Sequence, residues 1–230
     1  MDFEGWGISI SLGLLTVVLA SLSARGLARF ARDRNLHQVM WAVGLAFGTV
    51  ATSLELVAYV GFVDLLLLQT YVFCSAAIVG ILSLGGLRAF HRTSWNRSYI
   101  GYVGATLATV AAFSFTTPLP ASMVSAGVIS GNPPLLLLVL SSLVTVPATV
   151  VLLWACVRSL RRHFRWRGLL MLSGAVVLGA GGAFYIASFP VMLYYAEFVG
   201  IVLLFFGLVD FSRWSLAGPA PMPKPNERPA

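Results

Sequence analysis

Apolar residues run along most of this chain, interrupted only by short clusters of arginine, proline and acidic residues. The interruptions delimit seven apolar runs, at 6–23, 39–62, 65–87, 98–115, 135–157, 168–189 and 191–211. At about 1.5 Å per residue, even the shortest nearly matches the ~30 Å hydrocarbon core of a bilayer. The stretch 39–87 is too long for one crossing, and Asp64 supplies its break; Pro190 divides the final apolar stretch in the same way. The pattern predicts an all-α polytopic membrane protein, a seven-transmembrane-helix bundle over residues 1–216. The proline-rich segment 217–230 is expected to be a disordered cytoplasmic tail.

Composition agrees with lipid as the main solvent. Hydrophobic residues make up 58% of the chain and charged residues 10%, where a soluble domain carries about a quarter charged. Seven helices would use nearly all of the length, leaving no room for a soluble catalytic domain. The start of the chain carries Asp2 and Glu4 rather than the positive region of a cleavable signal peptide, so the first run is expected to remain as a helix.

Charge placement then orients the bundle. Arg25, Arg29, Arg32 and Arg34 follow the first run; Arg88, Arg92 and Arg97 follow the third. Arg158, Arg161, Arg162, Arg165 and Arg167 follow the fifth, and Arg213, Lys224 and Arg228 the seventh. Seven crossings put all 15 cations on one side, which the positive-inside rule assigns to the cytoplasm. The expectation is a multi-pass cell-membrane protein with its N-terminus outside and its C-terminus cytoplasmic. The net charge of +7 is therefore a property of the loops, and nucleic acid is not an expected partner. Beyond the lipid bilayer itself, the 158–167 loop, which mixes five arginines with Phe164 and Trp166, suits anionic lipid or an acidic protein partner.

The connection 116–134 carries Pro118, Pro120, Pro133 and Pro134, and its apolar middle, 121–129, either lies on the membrane surface or caps the bundle. Residues 6–87 and 135–211 are alike in length and in the order of basic loop and tight turn, which suggests a parallel 3+1+3 repeat. Pro147 interrupts the fifth run beside Thr145 and Thr149; its freed carbonyl needs a hydroxyl or water. Cys74 and Cys156 sit inside apolar runs and read as packing residues. His37, His91 and His163 fall beside loops, so no metal or haem site is expected.

Two acids break the rule of uncharged spans. Glu55 lies seven residues before the outer end of the second run at Phe62, and Glu197 six residues after the start of the seventh at Val191. Both are thus about 10 Å inside the outer boundary. Glu55 shares a helical stripe with Gly44, Gly48, Thr52 and Tyr59; Glu197 shares one with Tyr194, Gly200, Leu204 and Gly207. Gln69, Ala76, Gly80 and Ser83 form a third. If the stripes face one another, Glu55, Gln69, Glu197, Tyr59 and Tyr194 line an outward acidic pocket. No Lys, Arg or His occupies the outer half, so each carboxyl would hold a proton or a cation. The plainer alternative is a neutral, hydrogen-bonded contact between helices. Tyr71, Tyr185 and Tyr195, with Trp41 and Trp154 at the other end, read as interfacial anchors.

The seven-helix, N-out topology resembles that of rhodopsins, of the small 3+1+3 sugar transporters, and, over 34–87, of prokaryotic seven-helix integral membrane proteins. A retinal protein would need a lysine in its seventh helix. The run 191–211 has none, and the sole lysine, Lys224, lies in the tail, so covalent retinal is excluded and no cofactor is expected. The proline–glutamine signature of the sugar transporters is absent as well. The functional expectation is a non-enzymatic sensor, binding or partner-stabilising module that takes a small ligand, proton or cation. The alternative is a proton-coupled small-solute transporter using the same acids.

Overall fold

In hydrocarbon, no water relieves an unpaired backbone N–H or C=O, so an apolar run must close its own hydrogen bonds as a helix. The computed structural model describes residues 3–34, 36–90, 95–125, 128–129, 133–163, 166–186, 195–196 and 198–203. It is almost wholly helical, with α1 (Phe3–Asp33), α2 (Leu36–Tyr59), α3 (Leu65–Phe90), α4 (Trp95–Thr116), α5 (Leu135–His163) and α6 (Trp166–Ile186). Five of these, α1 to α5, contain segments long and apolar enough to cross a membrane, the pattern of a multi-pass membrane protein. Pro190, most of the seventh run and the 217–230 tail lie outside the described residues.

Two boundaries differ from the apolar pattern. The first run ends at Ser23, yet α1 continues to Asp33, so Arg25, Arg29 and Arg32 ride on its exposed last turns rather than in a loop. Cations there oppose the negative end of the helix dipole. The helix stops where Arg34 takes a left-handed conformation, φ 53°, with its N–H on Phe30 O at 2.8 Å. At the other end of the bundle, α2 stops at Tyr59, three residues before its apolar run does. Gly61, at φ 103°, turns the chain, and Asp64 Oδ1 accepts the Leu65 N–H at 2.7 Å to cap α3. Asp64 thus makes the predicted break.

The α2–α3 hairpin is closely packed. A Cβ added at Gly85 would stand 1.8 Å from Trp41 Cδ1; at Gly44, 2.9 Å from the Leu82 side chain; at Gly48, 2.5 Å from Ile78 Cδ1. One further pair, Glu55 with Tyr71, is joined by a hydrogen bond. In all four pairs the two residues are equally far from Val63 along the chain, so the antiparallel register is constant from one end to the other. Trp41, Gly48 and Glu55 recur at heptad spacing, as do Tyr71, Ile78 and Gly85, which is how two helices keep one seam in contact. Trp41 is therefore a knob seated in a glycine notch.

The small-residue stripe of α3 faces the other way. Gly80 opens onto Val144 of α5 and Val103 of α4, Ser83 bonds Tyr99 at 2.8 Å, and Ala76 is buried with Val110 and Val144. Residues two apart on a helix point to nearly opposite sides, so Ile78 and Gly80 serve different neighbours. On α1, Thr16 reaches Thr52 of α2 at 3.0 Å, and Leu15 and Leu19 join Ile201, Leu178 and Phe198. Gly200 meets Leu178 and Gly174 O, which seats residues 198–203 between α1 and α6. Cys74 and Cys156 are free and buried.

Pro147 sits inside α5 without ending it. Having no N–H, it leaves the Leu143 carbonyl, four residues back, without its helical donor. The Tyr102 hydroxyl of α4 donates to that carbonyl, so the hydroxyl required by the sequence comes from the adjacent helix.

Two outcomes follow for thermal unfolding in detergent. Gly85→Ala should cost about 1–3 kcal/mol by forcing Trp41 from its notch, whereas Gly101→Ala, with nothing within 4 Å of its added Cβ, should leave the midpoint unchanged or slightly higher. Tyr102→Phe should cost about 0.5–1.5 kcal/mol, and clearly less in a Pro147→Ala background, where residue 147 supplies its own N–H to Leu143 O; equal losses in the two backgrounds would refute the pairing.

Candidate functional site

Glu55 is the acid that the described residues bury. It lies on α2, one turn before the helix ends at Tyr59, with 3% of its surface exposed. The earlier stop of α2 leaves one turn of helix beyond Glu55 where the apolar pattern implied about two. At this end of the bundle the 116–134 connection packs against Ala58, one turn from Glu55. There, Ala121–Met123 forms a short 3-10 turn, and Val124–Ser125 pairs antiparallel with Val128–Ile129. Met123 and Ile129, each 1% exposed, are buried with Ala58, Leu68, Val72, Leu119 and Leu137. Of the two predicted placements for this loop, surface or cap, the structure adopts the cap.

Tyr71 of α3 connects the acid to that cap. Its hydroxyl donates to Glu55 Oε1 at 2.6 Å, and its ring packs against the Met123–Ile129 cluster. The other carboxyl oxygen, Oε2, is buried and has no hydrogen-bond partner among the described residues. A buried polar atom left in this state costs about 1–3 kcal/mol relative to one that is satisfied. One turn deeper, Thr52 presents a hydroxyl that bonds Gly48 O and Thr16 Oγ1. The interior of the α1–α2–α3 group therefore carries a short polar column, Thr16, Thr52, Glu55 and Tyr71, in otherwise apolar surroundings.

The remaining predicted site residues divide. Gln69 is buried, but its Nε2 donates to Thr117 O at 3.1 Å and Phe115 O at 3.5 Å. It caps the C-terminal end of α4, where carbonyls lack helical partners, and its amide is directed away from Glu55. The Tyr59 ring packs with Leu56 onto Ile8 and Leu12 of α1. Glu197 and Tyr194 lie outside the described residues. Among the described residues no three His, Cys, Asp or Glu side chains group as metal ligands.

By the apolar pattern alone, Tyr71 belongs to an interfacial belt. The signal for its real position was available, because Glu55 and Tyr71 are equidistant from the turn at Val63 and so must lie at the same depth on adjacent antiparallel helices. No family model matches the chain, and neither a curated protein nor a solved structure does.

Removing the hydroxyl isolates its contribution. Tyr71→Phe should lower unfolding stability by about 1–3 kcal/mol by leaving Oε1 unpartnered as well. In a Glu55→Leu background the same substitution should cost far less, and a double-mutant cycle by thermal melting measures the difference.

Proposed function

We propose that this chain is a non-enzymatic, seven-helix membrane module that binds a proton, a small cation or a small cationic ligand at Glu55. The carrying observation is the Glu55 carboxyl itself: buried, held at one oxygen by Tyr71, and open at the other. Lipid-buried carboxyls without a partner are costly, and they are characteristic of ion and proton paths and of ligand sites. An occupant that donates to Oε2 removes that cost, which makes occupancy and stability the same measurement.

The seven-helix count, with the N-terminus outside and the C-terminus cytoplasmic, is part of this proposal. It is supported by the helical residues 198–203 beyond α6, packed between α1 and α6, and by the positive-inside distribution of arginine. Contacts of α4 with α3 and α5 fit a parallel 3+1+3 arrangement in which α4 is the connector. Glu197 would extend the acidic pocket from the seventh helix. The basic end, where Arg29, Arg32, Arg88 and Arg97 are exposed, suits anionic lipid or a partner protein that reads the state of the bundle.

A transporter would need a second path from Glu55 toward the arginine-bearing end. The contacts of Gly48 with Ile78, Gly44 with Leu82 and Gly85 with Trp41 fill that stretch of the α2–α3 seam with apolar atoms. This favours binding or sensing over transport.

The test is thermal melting across pH and NaCl concentration. Wild type should respond to protons or sodium, by about 5–10 °C between no ligand and a hundredfold excess over its Kd. Glu55→Gln, which is permanently neutral, should lose that response, and Glu197→Gln should diminish it. Superimposable responses of wild type and Glu55→Gln would dismiss the binding reading.

A further inference from the structure

We propose that the exposed face of α1 is a binding surface for one anionic phospholipid, with the phosphate at Arg25, Arg29 and Arg32 and an acyl chain along Ile10, Leu14 and Val17. The inference decides between the two partners open to the basic end of the bundle, and it rests on that end meeting a headgroup layer.

Steps of three and four residues keep to one side of a helix. Residues 10, 14, 17, 21, 25, 28 and 32 follow that spacing and all are exposed, whereas Leu12, Leu15, Leu19 and Leu22 on the other side are buried. Ile10, Leu14 and Val17 are large, aliphatic and each more than half exposed. Next come three small exposed residues, Ser21, Ala24 and Ala28, beside the exposed Leu27. Arg25 and Arg32 complete the stripe, with Arg29 alongside. The sequence of groups matches a phospholipid from end to end: chain, narrow glycerol region, phosphate.

Depth agrees with that match. About 20 residues of helix cross the ~30 Å hydrocarbon core, which carries α3 from its start at Leu65 to Gly85, where Trp41 is seated. The next residue of α2, Ala42, marks the same level on α1. A Cβ added at Gly26 would stand 2.8 Å from Ala42 Cβ, and the Ser23 hydroxyl donates to Ala42 O at 2.8 Å. Arg25 therefore lies at the edge of the hydrocarbon, and Arg29 about 6 Å beyond it. The headgroup layer is itself roughly 5–7 Å deep. Arg32 is at its far side, from which a long side chain reaches back to the phosphate.

Charge selects the headgroup. Between residues 24 and 38 the chain holds four arginines and one acid, Asp33. An anionic lipid complements that excess, while a zwitterionic one would bring an ammonium group among the guanidinium groups. A soluble acidic protein could meet Arg32, but Arg25 at the hydrocarbon edge and the aliphatic residues above it are within reach of lipid only.

The test uses protein in nanodiscs of equal parts phosphatidylglycerol and phosphatidylcholine, with retained lipid read by native mass spectrometry. Wild type should keep phosphatidylglycerol over phosphatidylcholine, and Arg29→Gln/Arg32→Gln should reduce that preference by at least about tenfold. Ala24→Leu/Ala28→Leu keeps every charge and fills the narrow part of the stripe; it should weaken retention by about threefold or more. Arg97→Gln, which removes an exposed cation at the start of α4, should change nothing. All of these positions are exposed, so the variants should fold. Equal retention of the two lipids by wild type, an unaltered preference in either double variant, or a loss in Arg97→Gln as large as in the arginine pair would overturn the proposal. Displacement of the lipid by free glycerol 3-phosphate would also overturn it, in favour of a soluble-anion site. Binding of polyglutamate to the arginines without any phosphatidylglycerol preference would overturn it in favour of an acidic protein. Both leaflets of a nanodisc carry the same lipids, so none of these results depends on Glu55 or on which side is cytoplasmic.

Discussion

The α2–α3 seam sets the position of everything else that matters in this protein. Between helices in lipid there is no hydrophobic driving force, because lipid tails are as apolar as leucine; close packing must supply the association. Glycines at 44, 48 and 85 permit that approach, and the knobs Leu82, Ile78 and Trp41 use it. Because the register is constant about Val63, the same geometry that locks Trp41 into its notch places Tyr71 opposite Glu55. A shift of one residue would rotate every facing pair by about 100°, and the carboxyl would turn toward a neighbour with nothing to offer it.

Polar groups at that depth are satisfied by adjacent helices wherever the described residues reveal a partner. Tyr102 serves the carbonyl that Pro147 frees, Gln69 serves the last carbonyls of α4, and Ser83 and Tyr99 serve each other. These arrangements stabilise one packing order, since each joins helices whose mutual rotation must be correct for the bond to form. Glu55 differs from them in being half satisfied. Gln38 Oε1, Trp41 Nε1 and Ser114 Oγ are likewise buried without a partner among the described residues, but Glu55 Oε2 alone of the four belongs to an ionisable group, and there an occupant would gain most.

Much of the scaffold was legible from the chain, and the site much less so. Apolar run length located the helices, Asp64 marked the α2–α3 break, and Pro147 announced a carbonyl in need of a donor. Glu55 stood out because charge in a span is rare. What failed was rotation. Small-residue stripes on α2 and α3 look alike in sequence, but the α2 stripe faces Ile78 and Leu82, while the α3 stripe of Ala76, Gly80 and Ser83 faces α4 and α5. A stripe reports that some neighbour is close and carries no information about which one. Gln69 was drawn into the pocket by that ambiguity, and Tyr71 was left out because tyrosine near a helix end has a common and sufficient reason to be there. The extension of α1 through Arg25, Arg29 and Arg32 was hidden because hydropathy marks the edge of lipid, whereas the helix ends only where its backbone bonding ends.

The cap and the seam together make the Glu55 environment asymmetric. Toward the arginine-bearing end, interlocked side chains would have to leave rotameric seats in several layers at once, and packed cores resist such continuous deformation. Toward the other end, Met123 and Ile129 of the 116–134 connection are buried with apolar residues of α2, α3 and α5. Separating the seam would disrupt contacts that run along the whole hairpin. Glu55 therefore sits between a seam whose loosening would disturb the whole hairpin and a connection anchored by two buried apolar side chains.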